Sequence, residues 1–235
     1  MITHRSKVSI CKHSNVNNQR LVTVLLDIPY YDLLSWIEDT DGVFSVENKS
    51  FKKDYEDASL TPWQPENWVD SKNNTVSFQI GNSIASMWEQ LAKATAMGVQ
   101  ALVNSDIHES ILQKLLLPYV GRKVLLTFTE SNKLLRKLSL DEPSEKTWHL
   151  PFITNSDSQY SDHELICLSV YRCSVFGKTA YDMTREQMIK KGQELIDSNS
   201  PFCKHIHMSF SGSAFRSNFN GWVSLPEVIK NHLEW

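Results

Sequence analysis

The stretch from Asn82 to Leu102 is the longest in the chain that keeps a single period. Ile84, Met87, Leu91, Ala94, Gly98 and Leu102 recur at helical spacing, while Glu89, Gln90 and Lys93 fall outside that stripe. This pattern builds an amphipathic helix and excludes a strand over the same residues. An apolar stripe of that length needs a surface to lie on, and the β-rich runs elsewhere in the chain are the natural source. The spacing therefore predicts a mixed sheet with helices packed on it, the 84–102 helix crossing its face.

The strands are read from short apolar runs. Arg20–Ile28, RLVTVLLDI, follows an extended Lys7–Lys12 through the polar HSNVNNQ, which makes a hairpin. Pro29 ends the run, and Leu33, Leu34 and Ile37 then sit at helical spacing. Val124–Phe128 reads as a strand, and so does Leu165–Phe176, LICLSVYRCSVF. Further helices are signalled by Asp106 and Glu109, a capping-box pair ahead of Ile107, Ile111, Leu112, Leu115 and Leu116, with Pro118 at the end. Ser131–Leu138 is a short amphipathic helix with Lys133, Arg136 and Lys137 on its polar side. Thr184 and Gln187 cap a helix carrying Met188, Ile189, Leu195 and Ile196. Asn155–Asp162 reads as a polar loop.

These elements make an α+β fold, expected as a single domain over residues 1–235 with an excursion at about 40–80 that has neither helical nor strand period. Trp63 and Trp68 are the aromatic anchors expected to pack that excursion. Charge narrows the partners: 24 Lys and Arg stand against 27 Asp and Glu, a formal charge of -3, so no general nucleic-acid binder is expected. A local anion site is still open. The four cysteines lack CxxC spacing, which points to reduced thiols and a cytoplasmic setting. No apolar stretch is long enough to span a membrane, and the N-terminus has no apolar export segment, so neither insertion nor export is expected.

Candidate chemistry is sparse. His205, His207 and Ser209 form an H-x-H-x-S run whose side chains would share one face of a strand, though a third metal ligand is not evident nearby and packing is the stronger reading. His108 lies early in a helix, where the dipole favours a bound anion. Lys114 and Arg136 are cations able to meet a phosphate. No nucleophile elbow, phosphate loop or dinucleotide fingerprint is present.

The order of several segments carries more. KVSICKHSNVNNQRLVTVLLDIPYYDLLSWIED, WEQLAKATAMGVQALVNSDIHESILQKLLLPY, VLLTFTESNKLLRKL, TWHLPFIT, LSVYRCSVF, SPF and NFNGW together resemble the flavin-dependent thymidylate synthases, in particular the long phage and bacterial forms. The resemblance covers most of the chain and is weakest at 40–79. It implies an α/β homotetramer that binds FAD between subunits, takes deoxyuridylate and methylenetetrahydrofolate, and uses NADPH to reduce the flavin. The sequence departs from the family at its polar site. The Thr-His-Arg triplet that ends the first helix is Glu38-Asp39-Thr40 here, followed by Ser45 and Ser50. The family's helix glutamine becomes Ser110 and its arginine Lys114, which loses the planar fork. The next Leu-Arg survives only as Leu135-Arg136, and the Ala-Gln-x-Glu segment after it is absent. The resemblance thus implies a divergent subunit, inactive or completed by a homologous partner, in which His108, Lys114 and Arg136 would make any FAD or pyrimidine nucleotide contact. The alternatives are an active flavin-dependent enzyme transferring a one-carbon unit to a pyrimidine deoxynucleotide, and a non-enzymatic binding or structural protein.

Overall fold

A computed structural model describes residues 7–16, 19–29, 42–64, 68, 70–72, 74–129, 148–178, 182–209 and 221–231. The helices expected at 30–39 and 131–138 lie outside these. The fold is α+β, as the sequence predicts. Four strands, β1 (Lys7–Val16), β2 (Gln19–Pro29), β3 (Val43–Val46) and β4 (Gly121–Thr129), form one sheet in the order β1-β2-β4-β3. β2 and β4 are buried along nearly their whole length, Leu21 to Val24 and Val124 to Phe128 included. A strand covered on both sides reads as a continuous apolar run, which is how both stand in the sequence.

The chain folds into two compact units. The first comprises Met1–Lys7, Leu26–Ser35 and Val46–Lys123. Its core is helical: α1 (Phe51–Leu60), α2 (Phe78–Leu102) and α3 (Glu109–Leu116) bury Ala58, Ala96, Val99, Leu112, Leu116 and Val120 together. α1 falls where the sequence reading expected no period. Its core-facing positions are Phe51, Asp54, Tyr55 and Ala58, helical in spacing but not all apolar, and Ser50 caps it by accepting from Lys53 N–H at 3.2 Å. The tryptophans of the excursion pack as anchors. Trp88 lies 5.7 Å from Trp68 and 5.1 Å from Tyr119, centroid to centroid, and donates its indole N–H to the Trp63 carbonyl at 2.9 Å.

α2 corrects the opening expectation. Its buried residues are Ala92, Ala96 and Val99, turned toward α1 and α3, while Met87 and Leu91 of the expected stripe are 63% and 55% exposed. The small residues pack inward where α2 meets α1 and α3, and the larger stripe faces away. α3 also starts differently: His108, not Asp106, is the residue that caps it.

The second unit comprises Val8–Leu25, Trp36–Ser45 and Val124–Trp235. It holds α4 (Asp162–Ser174), α5 (Arg185–Asp197), α6 (Leu225–Lys230) and an antiparallel sheet of β5 (Trp148–His149), β6 (His207–Ser209) and β7 (Trp222–Ser224) in the order β5-β6-β7. α4 replaces the strand expected at 165–176. It buries Ile166 through Tyr171 without a break, so its apolar residues run round the whole helix and leave no helical period to read. Its start is capped by Ser161 and Glu164 in a reciprocal box. α5 begins as predicted, with Thr184 and Gln187 forming the same motif. The two helices meet at Gly192, where an added Cβ would stand 1.9 Å from the Cys167 carbonyl oxygen.

Asn155–Asp162 is not a bare polar loop. Asp157 is fully buried and accepts from Arg172 at 2.7 and 3.0 Å, from Arg185 Nε at 2.9 Å and from the Thr154 N–H at 3.0 Å. Burial alone would raise its pKa, but these donors outweigh it and hold the carboxyl well below the usual range. All four cysteines are free thiols, and no described helix is long and apolar enough to cross a membrane.

Candidate functional site

In the first unit, α3 follows its His108 cap and projects Ser110, Gln113 and Lys114 into a cleft of about 530 Å³. Its other wall is the chain from Val46 to Lys49, and Arg122 at the start of β4 closes it. The lining holds three cations, Lys49, Lys114 and Arg122, against one carboxylate, Glu47.

The cations are held differently. Arg122 is nearly buried and donates from Nη2 to the fully buried Asp54 at 2.5 Å, and Gln113 Nε2 donates to the same oxygen at 2.5 Å. Leaving a buried carboxylate unpaired is costly, so Asp54 fixes both side chains in place. Lys49 Nζ donates to Asp57 at 2.9 Å and to the Gly121 carbonyl at 3.0 Å. Burial raises the Asp57 pKa, but Lys53 and Lys49 more than reverse this and hold it low. Lys114, in the last turn of α3, is exposed. The cleft therefore combines two cations pinned by carboxylates behind them with one lysine able to reach outward.

Of the residues singled out by sequence, Lys114 stands in this cleft. Ser110 stands there too, with its hydroxyl 2.8 Å from His108 Nδ1. His108 is occupied at the helix start, its Nδ1 accepting from Ser110 N–H at 3.2 Å, and it does not line the cleft. Six residues along an α-helix separate it from Lys114 by about 9 Å. Arg136 and the Glu38-Asp39-Thr40 triplet lie outside the described residues. Sequence reasoning missed Lys49, Gln113 and Arg122. The signal for Arg122 is the basic pair Arg122-Lys123 directly before an apolar strand; Lys49 has none, because its partners are distant in sequence.

The histidines of the H-x-H-x-S run lie in the second unit and are interior groups. Only His207 and Ser209 belong to β6; His205 ends the 3-10 turn Pro201–His205, so the three do not share a strand face as expected. A hydrogen-bonded chain runs through the unit's core. Ser14 Oγ lies 3.0 Å from His149 Nδ1, and His149 Nε2 lies 2.8 Å from Thr23 Oγ1. Thr23 and Thr127 hydroxyls are 2.6 Å apart, Thr127 reaches His205 Nδ1 at 2.9 Å, and His205 Nε2 meets Ser45 Oγ at 2.8 Å. Burial pushes His205 and His207 down to about 3, and it pushes His149 well below its usual value with help from His207. These are fully buried imidazoles, neutral at pH 7. Among the described residues no group of three His, Cys, Asp or Glu is arranged to hold a metal.

The second unit also has a cleft of about 620 Å³ lined in part by Arg172 and Arg185. Both guanidiniums donate to Asp157, whose single carboxylate offsets one of their two charges.

FAD, implied by the sequence resemblance, fits the cleft of the first unit poorly. Among the described residues no aromatic side chain lines it for a flavin ring to stack on, and its cations form one cluster.

No family model matches the chain, and no curated protein matches its sequence. Among solved structures, the chain is similar to the crystal structure of a UMP/dUMP methylase, PolB from Streptomyces cacaoi, bound with 5-Br UMP. The likeness covers 53% of this chain and 72% of that one at 11% identity and a TM-score of 0.39, too thin to assign either a family or a ligand.

Proposed function

We propose that this chain is a binding subunit of thymidylate-synthase-like descent that holds the phosphate of a pyrimidine deoxynucleotide in the cleft of Lys49, Lys114 and Arg122 and does not complete the chemistry alone. The observation that carries this reading is the meeting of Lys114, named from sequence, with two further cations in one concave site. A phosphate gains most from a preorganised cluster, and Asp54 and Asp57 supply the order by fixing Arg122 and Lys49. The same two carboxylates absorb part of the charge, which keeps affinity modest. The pyrimidine comes from the sequence resemblance, and the inactivity from the replaced polar residues and from a lining without an aromatic platform.

Calorimetric titration with deoxyuridylate and with inorganic phosphate tests the binding. Both should bind, and Lys114→Ala should weaken each about fivefold, about 1 kcal/mol, as an exposed cation does. No heat with either ligand, or unchanged affinity in the variant, overturns the site. The pure chain given FAD, deoxyuridylate, methylenetetrahydrofolate and NADPH should make no thymidylate. Robust turnover would refute the incomplete-subunit reading, whereas turnover only after a homologous subunit is added would support completion in trans.

A further inference from the structure

The outward stripe of α2 is a strip built for one kind of neighbour. Ile80, Ile84, Met87, Leu91, Ala94, Gly98 and Ala101 follow one another at alternating steps of four and three residues, the spacing of a coiled-coil seam. All but the half-buried Ile84 are exposed, Ile80 at 54%. The seam is separate from the buried face of Ala92, Ala96 and Val99 that holds α2 in its own unit.

Side-chain size runs along the seam in one direction: large residues fill its first half, and alanine and glycine its second. Leu91 is the midpoint. If a second α2 lies antiparallel with Leu91 facing Leu91, Ile80 comes level with Ala101, Ile84 with Gly98 and Met87 with Ala94. Apart from Leu91, which meets its own copy at the crossing, each large side chain then meets a small one. Parallel pairing would set bulk on bulk at one end and leave a gap at the other.

Charge permits the match. Neither the seam nor the positions flanking it carry a charge, so a like strip meets no repulsion. The helix's two charged residues, Glu89 and Lys93, lie off the seam and pair with each other at 2.6 Å. The geometry points to a second copy of this chain as the occupant: a twofold dimer through antiparallel α2 helices crossing at Leu91.

The area sets its strength. The 25 residues of α2 make a helix about 37 Å long and about 10 Å wide, so the pair alone covers about 400 Å² on each copy. The total of about 800 Å² falls below the roughly 1,000 Å² that a stable interface clears, so the dimer is a weak, reversible one that forms at tens of micromolar. The contact is independent of the nucleotide cleft and needs no ligand.

Sedimentation equilibrium of the full chain from about 1 to 100 µM should show a monomer–dimer equilibrium. Gly98→Leu is the cleanest variant, because a Cβ there meets nothing within 4 Å in its own chain. It should leave the circular dichroism and melting temperature intact yet weaken dimerisation at least tenfold, since it fills the space Ile84 of the second copy would use. Leu91→Glu should do the same by setting two carboxylates at the twofold axis. Orientation is read from oxidation of cysteine variants: Ile80→Cys mixed with Ala101→Cys should cross-link, and Gly98→Cys alone should not. A strict monomer at about 100 µM, a dimer indifferent to both Gly98→Leu and Leu91→Glu, or efficient Gly98→Cys self-cross-linking would each overturn the proposal.

Discussion

Acidification from pH 7 to pH 5 should destabilise the second unit, and the buried imidazoles set how steeply. His205 and His207 are held down at about 3 in the folded chain, first by burial, against about 6.5 for an exposed histidine. Between those values the unfolded chain binds a proton at each site and the folded chain does not. Their stabilising contribution is therefore complete above about pH 6.5 and is lost as pH falls toward the folded value. Each histidine should remove about 2 kcal/mol between pH 7 and pH 5, so the pair should remove about 4 kcal/mol, from a total that for most domains is about 5–15 kcal/mol. His149 shifts in the same direction and adds to the loss. The depressed carboxylates Asp157 and Asp57 give up their contribution only at lower pH, so the pH 7 to 5 window belongs to the imidazoles. Urea unfolding at pH 7.0, 6.0 and 5.0, followed by far-UV circular dichroism and by amide exchange in α4, measures the slope. His205→Gln, which can still hydrogen-bond to Thr127 and Ser45, should lower the proton uptake on unfolding by about one. A stability that changes by less than about 1 kcal/mol across the window would refute neutral burial of these rings.

Two substitutions test the packing of the same unit. Asp157→Asn removes the charge that Arg172 and Arg185 share and should cost about 3–5 kcal/mol, seen as a lower urea midpoint; a midpoint unchanged from wild type would show that the two arginines find other partners. Gly192→Ala gains helix propensity of about 1 kcal/mol but drives a methyl into the backbone of α4, so the net effect should be a lower melting temperature. A higher one would mean that α4 and α5 can separate at little cost.

The sequence shows its fold best where one face of an element meets the core and the other does not. α5 was legible for that reason, with Thr184 and Gln187 locating its start, whereas β2 and β4 were legible as short, nearly unbroken apolar runs, the mark of strands covered on both sides. α4 was not, because a helix buried on every side carries no period; its Ser161 and Glu164 box was the remaining sign. α1 was hidden for the opposite reason, since Asp54 occupies a core position that pattern reading reserves for apolar side chains. For α2 the period was right and the direction wrong: a stripe says that a surface is needed, not whether the chain itself provides it. At the cleft, Lys114 was visible as a lone cation on a helix. Arg122 and Lys49 were not, because what defines them is an ion pair spanning 68 residues, Asp54 to Arg122, and a lysine bridging Asp57 to the Gly121 carbonyl.

His205 also fixes an order of events during synthesis. Ser45 and Thr127, its two hydroxyl partners, stand at either end of the long stretch that carries most of the first unit, Val46–Lys123. A ribosome delivers Ser14, Thr23, Ser45, Thr127 and His149 before it reaches residue 205. Until then Ser14, His149, Thr23 and Thr127 can join, but Ser45 has no imidazole to tie it to them. The clasp across the two ends of that stretch closes late in translation, after the helices between them have already left the ribosome and can fold.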